Sequence, residues 1–166
     1  MALKILPLIV IVCTLVLNIW YTEGCLPSGS SSSSSSSSSH DDDNFPHDIN
    51  TQSELTALYN KRVVWVDNYQ RPLGSFKSTW GPFYHAGVVV TTADGEKWLI
   101  HKGDSFGKSS QTVVVCAECM SSRWFRVGGH SVSYAKVGDY VGAGGIDYDF
   151  FADNCQDARD RMLELD

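Results

Sequence analysis

Three residues of this chain, Cys155, His85 and His101, have side chains that could perform nucleophilic chemistry together. A catalytic cysteine needs a thiolate, an imidazole that takes or holds the thiol proton, and a polar group that fixes the tautomer of that imidazole. The three residues would fill these roles in the order given. We therefore predict a Cys–His catalytic site that attacks an amide or ester carbonyl and needs neither a metal ion nor an organic cofactor.

The segment around Cys155 has the pattern of a helix start. Asp153 and Asn154 are favoured N-cap residues, because their side-chain oxygens accept backbone N–H groups that the first turn leaves unpaired. Residues 156–165 contain no Gly or Pro and are mostly helix formers. The pattern predicts a C-terminal helix with Cys155 in its first turn, where the helix dipole can lower the pKa of a thiol. The alternative is that Cys155 is a small buried hydrophobic residue or half of a disulfide.

His85 and His101 stand near the two ends of the segment YHAGVVVTTADGEKWLIHKG, which has the pattern of a β-hairpin. Two apolar runs flank residues 93–95, and Gly95 can supply the positive φ of a tight turn. A two-residue turn would put the two histidines on opposite faces of the hairpin. A three-residue turn, with Gly95 as a left-handed bulge residue, would make them diagonal neighbours on one face. Only this second register pairs a base with its orienting group, and we predict it.

The rest of the chain must supply the elements that hold these residues. Residues 53–61 predict a short helix, and residues 62–69 predict a β-branched, aromatic strand. Further strands are predicted, the last of them weakly, at residues 112–116, 123–127 and 131–135. Residues 137–144 are compatible with either type. The order of a helix, several antiparallel strands and a final helix that begins near Cys155 predicts an α+β domain.

The N-terminal part of the chain has the composition of targeting and linker segments. Residues 1–24 have the layout of a secretory signal peptide, with one positive charge before an apolar run that is shorter than a membrane span. An uncleaved signal anchor is the alternative. Residues 25–50 contain a serine tract and an acidic run with nothing to bury, and predict a disordered linker. We therefore expect a secreted, extracellular protein with one folded domain, residues 51–166, and no stable membrane span after signal cleavage.

Charge and cysteine content narrow the possible functions. The formal net charge of −6, without a long basic run, argues against a nucleic-acid partner. Outside the cell, the cysteines that remain after signal cleavage could form two disulfides, or one with Cys155 kept free. The CxxC pair Cys116 and Cys119 is expected to form a structural disulfide, either within the pair or from one of its members to another cysteine. With His130 the pair lacks the fourth ligand of a structural zinc site.

The sequence also gives expectations for the positions of several aromatic residues and of one lysine. Trp80 could line a substrate groove. Lys102 is expected to be exposed. Tyr148, Phe150 and Phe151 are expected to pack the C-terminal helix onto the sheet.

The motifs resemble those of the circularly permuted papain-like thiol enzymes. The resemblance spans residues 84–162 and consists of a histidine that opens HAGVVV, a hairpin that ends in WLIHKG, and DNC at a helix start. The enzymes concerned are the lecithin:retinol acyltransferase-like proteins, the PPPDE-type isopeptidases and, more distantly, the NlpC-like cell-wall peptidases. In permuted members the base histidine precedes the nucleophile. The resemblance implies a small antiparallel β-sheet packed against helices, with the C-terminal helix carrying the nucleophile. It also implies that Cys155 is the nucleophile, His85 the base and His101 the third, polar position.

From these observations we expect a secreted thiol hydrolase or acyltransferase whose thioester at Cys155 is resolved by water or by a second acceptor. The partner would be an amide- or ester-containing substrate, and peptide, isopeptide, peptidoglycan stem and lipid ester all remain open. The alternative is a non-catalytic extracellular matrix or binding protein on the same scaffold, whose acidic serine-rich segment binds cations. A reactive Cys155 would favour the enzyme, and a Cys155 held in a disulfide would favour the binding protein.

Overall fold

The structure is a computed structural model that describes Ile49, residues 51–74 and residues 83–166. The predicted signal peptide, nearly all of the predicted linker, and Trp80 lie outside the described residues. Given their length and polarity, none of the helices in the described ranges could span a membrane.

The described residues form an α+β domain with five strands and three helices. The elements are α1 (Gln52–Tyr59), β1 (Val63–Pro72), β2 (Tyr84–Thr92), β3 (Lys97–Lys102), β4 (Thr112–Cys116), a 3₁₀ turn (Ala117–Cys119), β5 (Phe125–Ser131), α2 (Val137–Gly144) and α3 (Cys155–Leu163). The strands make one antiparallel sheet in the order β4-β3-β2-β1-β5. The predicted α+β class, with a small antiparallel sheet and a C-terminal helix, is confirmed.

Two predicted boundaries differ from the structure in the second half of the chain. β5 does not stop near Val127 but continues through Gly128 and Gly129, which pair with β1. Glycine has a low strand propensity, and here the pairing with a neighbouring strand outweighs that propensity. Residues 131–135, the weakest strand candidate, contain only the last residue of β5. Residues 137–144, whose pattern fitted either type, form α2.

The hydrophobic core lies between one face of the sheet and the helices α2 and α3. Val88, Val90 and Ile100 of the sheet pack with Tyr140 of α2 and Met162 of α3, and all five are fully buried. Side chains alternate between the two faces of a strand. The core residues therefore identify the helix-covered face of β2 and β3, and their odd-numbered neighbours belong to the other face.

The β2–β3 hairpin has the predicted register. The Thr92 N–H donates to the Glu96 carbonyl at 2.9 Å, and the Gly95 N–H donates to the Thr92 carbonyl at 2.9 Å. Gly95 adopts a φ of 92°, in the left-handed region that favours glycine. The three-residue turn is thus confirmed. Because side chains alternate with a period of two, this turn puts His85 and His101 on the same face of the sheet.

Candidate active site

The two histidines are in direct contact. Nε2 of His85 lies 2.9 Å from Nδ1 of His101. In the hairpin register Gly87 faces His101, so that His85, two residues earlier on the same face, is its diagonal neighbour. One of the two nitrogens must donate and the other accept. If Nε2 of His85 carries the proton, Nδ1 of His85 becomes the basic nitrogen, which is the tautomer that a cysteine base requires.

Aromatic rings enclose this histidine pair. The ring centroid of Phe106 lies 5.7 Å from that of His85 and 5.0 Å from that of His101. The corresponding distances for Trp124 are 5.3 Å and 5.9 Å. Arg71, which pairs with His85 from β1, places its guanidinium 5.2 Å from the Trp124 ring centroid. Sequence analysis assigned none of these three residues to the site, because no motif marks them and only the folded sheet brings them together.

Burial keeps both imidazoles neutral at rest. Desolvation lowers the pKa of His85 well below its ordinary value, and the charges of His101 and Arg71 lower it further. Desolvation, together with the charge of Arg71, lowers the pKa of His101 to about 3. A neutral His85 can accept a proton as a general base, and a neutral His101 can accept the hydrogen bond that orients it.

Cys155 is the first residue of α3, as predicted. The Asn154 side chain accepts hydrogen bonds from the backbone N–H groups of Gln156 (2.8 Å) and Asp157 (3.4 Å). In return, the Asp157 carboxylate accepts the Asn154 N–H at 2.9 Å, which completes a capping box. The thiol of Cys155 is free, and the residue is 8% exposed. The capping box fixes the backbone from which the thiol projects.

The thiol lies against the backbone of the strand that carries His85. Sγ of Cys155 donates a weak hydrogen bond to the Tyr84 carbonyl at 3.9 Å, and it receives one from the Ala86 N–H. In an antiparallel ladder these two groups pair with the residues on either side of the one opposite His85. β3 does not supply this pairing, because its last pair with β2 is Gly87 with His101. The thiol therefore contacts backbone groups of β2 that a longer β3 would pair with.

In the described part of the chain, the structure joins the two histidines of the predicted site to each other, but it does not join the thiol to either of them by a hydrogen bond. His85 and His101 are joined by a hydrogen bond, whereas within the described residues the thiol donates to the Tyr84 carbonyl and not to an imidazole nitrogen. α3 packs on the core face of the sheet, and the histidines belong to the opposite face. What connects the thiol to the histidine pair is the backbone of β2, because the thiol contacts the residues on both sides of His85.

The direction of the thiol pKa corrects the sequence-based expectation. Burial raises the pKa of the Cys155 thiol, and this outweighs the lowering by the backbone N–H groups of Ala86 and Cys155 and by the charge of Arg159. The helix start does favour the thiolate, but desolvation is the larger effect. At neutral pH the resting thiol is protonated, so its use as a nucleophile requires a base.

Gly87 is needed for the close approach of β2 and β3. A Cβ at this position would lie 2.8 Å from Cβ of His101 and 2.9 Å from the Ile100 carbonyl oxygen. We expect Gly87→Ala to lower the free energy of unfolding by about 1–3 kcal/mol, measured by urea denaturation, because the added methyl group overpacks the strand pair. Gly128→Ala is the matched control: nothing lies within 4 Å of its added Cβ, and we expect a change within about 0.5 kcal/mol. Equal stabilities of the two variants would contradict the prediction.

Lys102 and two aromatic residues do not lie where the sequence analysis expected them. Lys102 is fully buried, because it alternates with His101 and so faces α2 and α3. Phe150 and Phe151 do not pack α3 onto the sheet and are 45% and 83% exposed. Backbone hydrogen bonds between Asp149 and Asp153 close the intervening turn, and these bonds leave both rings on its outside.

The CxxC segment contributes no group to the site. Cys116 carries a free thiol, so the two cysteines of the pair are not joined to each other. His130 is exposed on β5. Within the described ranges, no group of three or more His, Cys, Asp or Glu residues could hold a metal ion.

The candidate site therefore consists of a hydrogen-bonded histidine pair between aromatic rings and a free thiol at a capped helix start. The thiol contacts the backbone of β2, the strand that carries His85. The chain matches no protein-family model, no curated protein and no solved structure.

Proposed function

We propose that this protein is a secreted thiol hydrolase or acyltransferase of the circularly permuted papain-like class, acting on an amide or ester bond. The observation that carries the proposal is the 2.9 Å contact between Nε2 of His85 and Nδ1 of His101. It joins the base, His85 of β2, to its orienting group, His101 of β3, and the backbone of β2 also contacts the Cys155 thiol. The chain order of histidine on one strand, polar residue on the next, and nucleophile at a later helix start supports the papain-like assignment. Secretion rests on the layout of residues 1–24.

In the proposed reaction, Sγ of Cys155 attacks the substrate carbonyl carbon while its proton passes to Nδ1 of His85. His101 accepts the hydrogen bond from Nε2–H of His85 and so keeps Nδ1 basic. Because the thiol is protonated and His85 is neutral at rest, proton transfer accompanies the attack rather than preceding it. This is general-base catalysis and differs from a resting thiolate–imidazolium pair.

Collapse of the tetrahedral intermediate completes the first half of the reaction. The backbone N–H of Cys155, at the start of α3, already favours negative charge at the thiol and would stabilise the developing oxyanion. The bond to the leaving amine or alcohol breaks, His85 returns the proton to that group, and a thioester remains. Water or a second acceptor then attacks the thioester, and the thiol is restored. The substrate would be a peptide, a peptidoglycan stem or a lipid ester.

The test is acetylation by p-nitrophenyl acetate. We expect release of p-nitrophenolate and an acetyl group on Cys155, which peptide mass spectrometry locates. The Cys155→Ala variant should gain none there. Cys116 is the internal reference, because its thiol is also free and is less buried. Acetylation confined to Cys116 would contradict the proposal, since the more accessible thiol would then be the only reactive one.

A second candidate function is favoured by the burial of the thiol. Cys155 is only 8% exposed and its pKa is raised by desolvation, as for a cysteine that serves packing alone. The protein would then be a non-catalytic extracellular or matrix protein that uses the same scaffold for binding. The serine-rich acidic segment that would bind cations lies outside the described residues. Absence of acetylation at Cys155 would support this function.

A further inference from the structure

An ion pair between the buried Lys102 and the partly exposed Asp153 links the strand of His101 to the segment that precedes Cys155. Nζ of Lys102 is fully buried and lies 2.6 Å from Oδ2 of Asp153. Lys102 follows His101 directly along β3, and Asp153 precedes Cys155 by two residues. One end of the pair is thus next to the orienting histidine, and the other is next to the nucleophile.

Asp153 also connects the two helices that cover the sheet. Its other carboxylate oxygen, Oδ1, lies 2.8 Å from Nη2 of Arg161 on α3. Arg161 donates in addition to the Ala143 carbonyl (2.7 Å) and the Gly144 carbonyl (2.9 Å) at the end of α2. Burial would raise the pKa of Asp153, but the hydrogen bonds from Lys102 and Arg161 hold it below its ordinary value. The carboxylate is therefore charged, and it holds β3, α2 and α3 together at one point.

The backbone is shaped around this ion pair. Gly145 has a φ of 83°, and a Cβ there would lie 3.3 Å from Nζ of Lys102 and 3.6 Å from Oδ2 of Asp153. The Gly145 carbonyl accepts a hydrogen bond from the Thr112 hydroxyl at 2.7 Å, which fastens it to β4. The connection from α2 to α3 thus begins at Gly145 and ends at Asp153, beside the same ammonium group.

A buried ammonium group carries a desolvation cost, so an ion pair that contains one is weak evidence for a role in stability. Replacement of a buried ion pair by apolar residues of similar volume is often neutral or stabilising, whereas the pair itself fixes one geometry. The geometry fixed here is the position of the first turn of α3 relative to β3, because Asp153 directly precedes the N-cap of α3. Two residues after Asp153, the Cys155 thiol contacts the Tyr84 carbonyl and the Ala86 N–H, on either side of His85.

We propose that Lys102 is a positioning residue, which through Asp153 holds the start of α3 so that the Cys155 thiol stays within reach of the His85–His101 pair. The inference rests on the proposed function and adds to it a residue that touches neither substrate nor thiol. A small displacement of a reacting group is enough to lower a rate strongly. Loss of the link should therefore uncouple the thiol from its base without altering either group chemically.

The test is a double-mutant cycle on the acetylation of Cys155 by p-nitrophenyl acetate. The cycle uses four full-length chains: the unaltered chain, His85→Ala, Lys102→Met and the double variant. The His85 factor is the ratio of the acetylation rates with and without His85, and it is measured once with Lys102 present and once with Met at position 102. We expect this factor to shrink by about 10-fold or more in Lys102→Met, because misplacement already removes the contribution of the base. The loss should appear in the rate constant at saturating ester and leave KM unchanged, since Lys102 does not contact the ester.

Two controls separate positioning from general loosening of the fold. Lys61→Met removes ion pairs to Asp94 and Glu96 (both 2.7 Å) on the hairpin that also carries the histidines, and it should leave the His85 factor unchanged. Acetylation of Cys116 in the same samples should also stay constant, whereas a loosened fold would raise it. If Lys102→Met does not fold, Lys102→Met/Asp153→Asn is used, because it removes both charges and leaves no buried charge unpaired.

The outcomes distinguish this inference from the proposed function. An unchanged His85 factor in Lys102→Met, or an equal change in Lys61→Met, overturns the role of Lys102 and leaves the proposed function standing. If His85→Ala does not slow acetylation even with Lys102 present, the proposed function fails, and the inference fails with it.

Discussion

His85→Ala is expected to slow the acetylation of Cys155 by about 10²- to 10⁴-fold at neutral pH, the range for a positioned general base. The reason is the protonated resting state of the thiol, whose pKa is raised by burial. Without the imidazole, attack would depend on the small fraction of protein molecules in which the Cys155 thiol is ionised. The rate of p-nitrophenolate release from the ester, measured together with the acetyl content of the Cys155 peptide, gives the factor directly.

Variants of the second histidine test whether its role is to orient the first. His101→Gln keeps a carbonyl oxygen that can accept the Nε2–H of His85, whereas His101→Leu removes any acceptor. We expect His101→Gln to retain more activity than His101→Leu. His130→Ala is the control, because His130 is exposed on β5 and away from the pair. Acetylation of His85→Ala at the rate of the unaltered chain would refute the assignment of the base.

The free energy of unfolding is expected to fall steeply as the pH drops below about 6.5, the ordinary pKa of histidine. His85 and His101 stay neutral in the folded protein because burial lowers the pKa of each, to about 3 for His101. In the unfolded chain both would bind protons below pH 6.5, so proton uptake favours unfolding. Their stabilisation is therefore complete above that pH and is lost as the pH falls towards the folded-state values, by about 1.4 kcal/mol per pH unit for each histidine.

Urea denaturation at several values between pH 7.5 and pH 5 measures this slope. Asp94 and Asp153 do not contribute to the slope in this pH range. Their pKa values are lowered, so the stability that they contribute is lost only in more acidic solution. The double variant His85→Gln/His101→Gln should flatten the slope, and His130→Gln should keep it. A stability that does not change between pH 6.5 and pH 5 would mean that the buried pair takes up protons without unfolding.

Features determined by nearby residues could be predicted from the sequence. The hairpin register follows from the turn at residues 93–95 and the period of two, and both are encoded within about twenty residues. The start of α3 at Cys155 follows from the capping residues Asn154 and Asp157, which lie within one turn of it. In each case the residues that decide the geometry are neighbours in the chain.

Features determined by packing between distant segments could not be predicted. The helix dipole at Cys155 favours a lowered thiol pKa, but the burial that raises it depends on how α3 meets β2. Lys102 has the sequence context of an exposed hairpin residue, and its burial depends on Asp153, fifty-one residues further along the chain. Phe106 follows β3 and Trp124 precedes β5, and only the folded domain brings both rings beside the histidines. No local pattern encodes such contacts.

The turn at residues 93–95 has a consequence for how this site could be gained or lost during evolution. Deletion of one residue there would convert the three-residue turn into a two-residue turn and move His101 to the opposite face of the sheet. The rest of β3 would be inverted with it, so that Ile100 and Lys102 would leave the core face. Deletion of a single codon, in a turn that contacts neither the thiol nor the histidines, would thus separate His85 from His101 although both residues remained in the sequence.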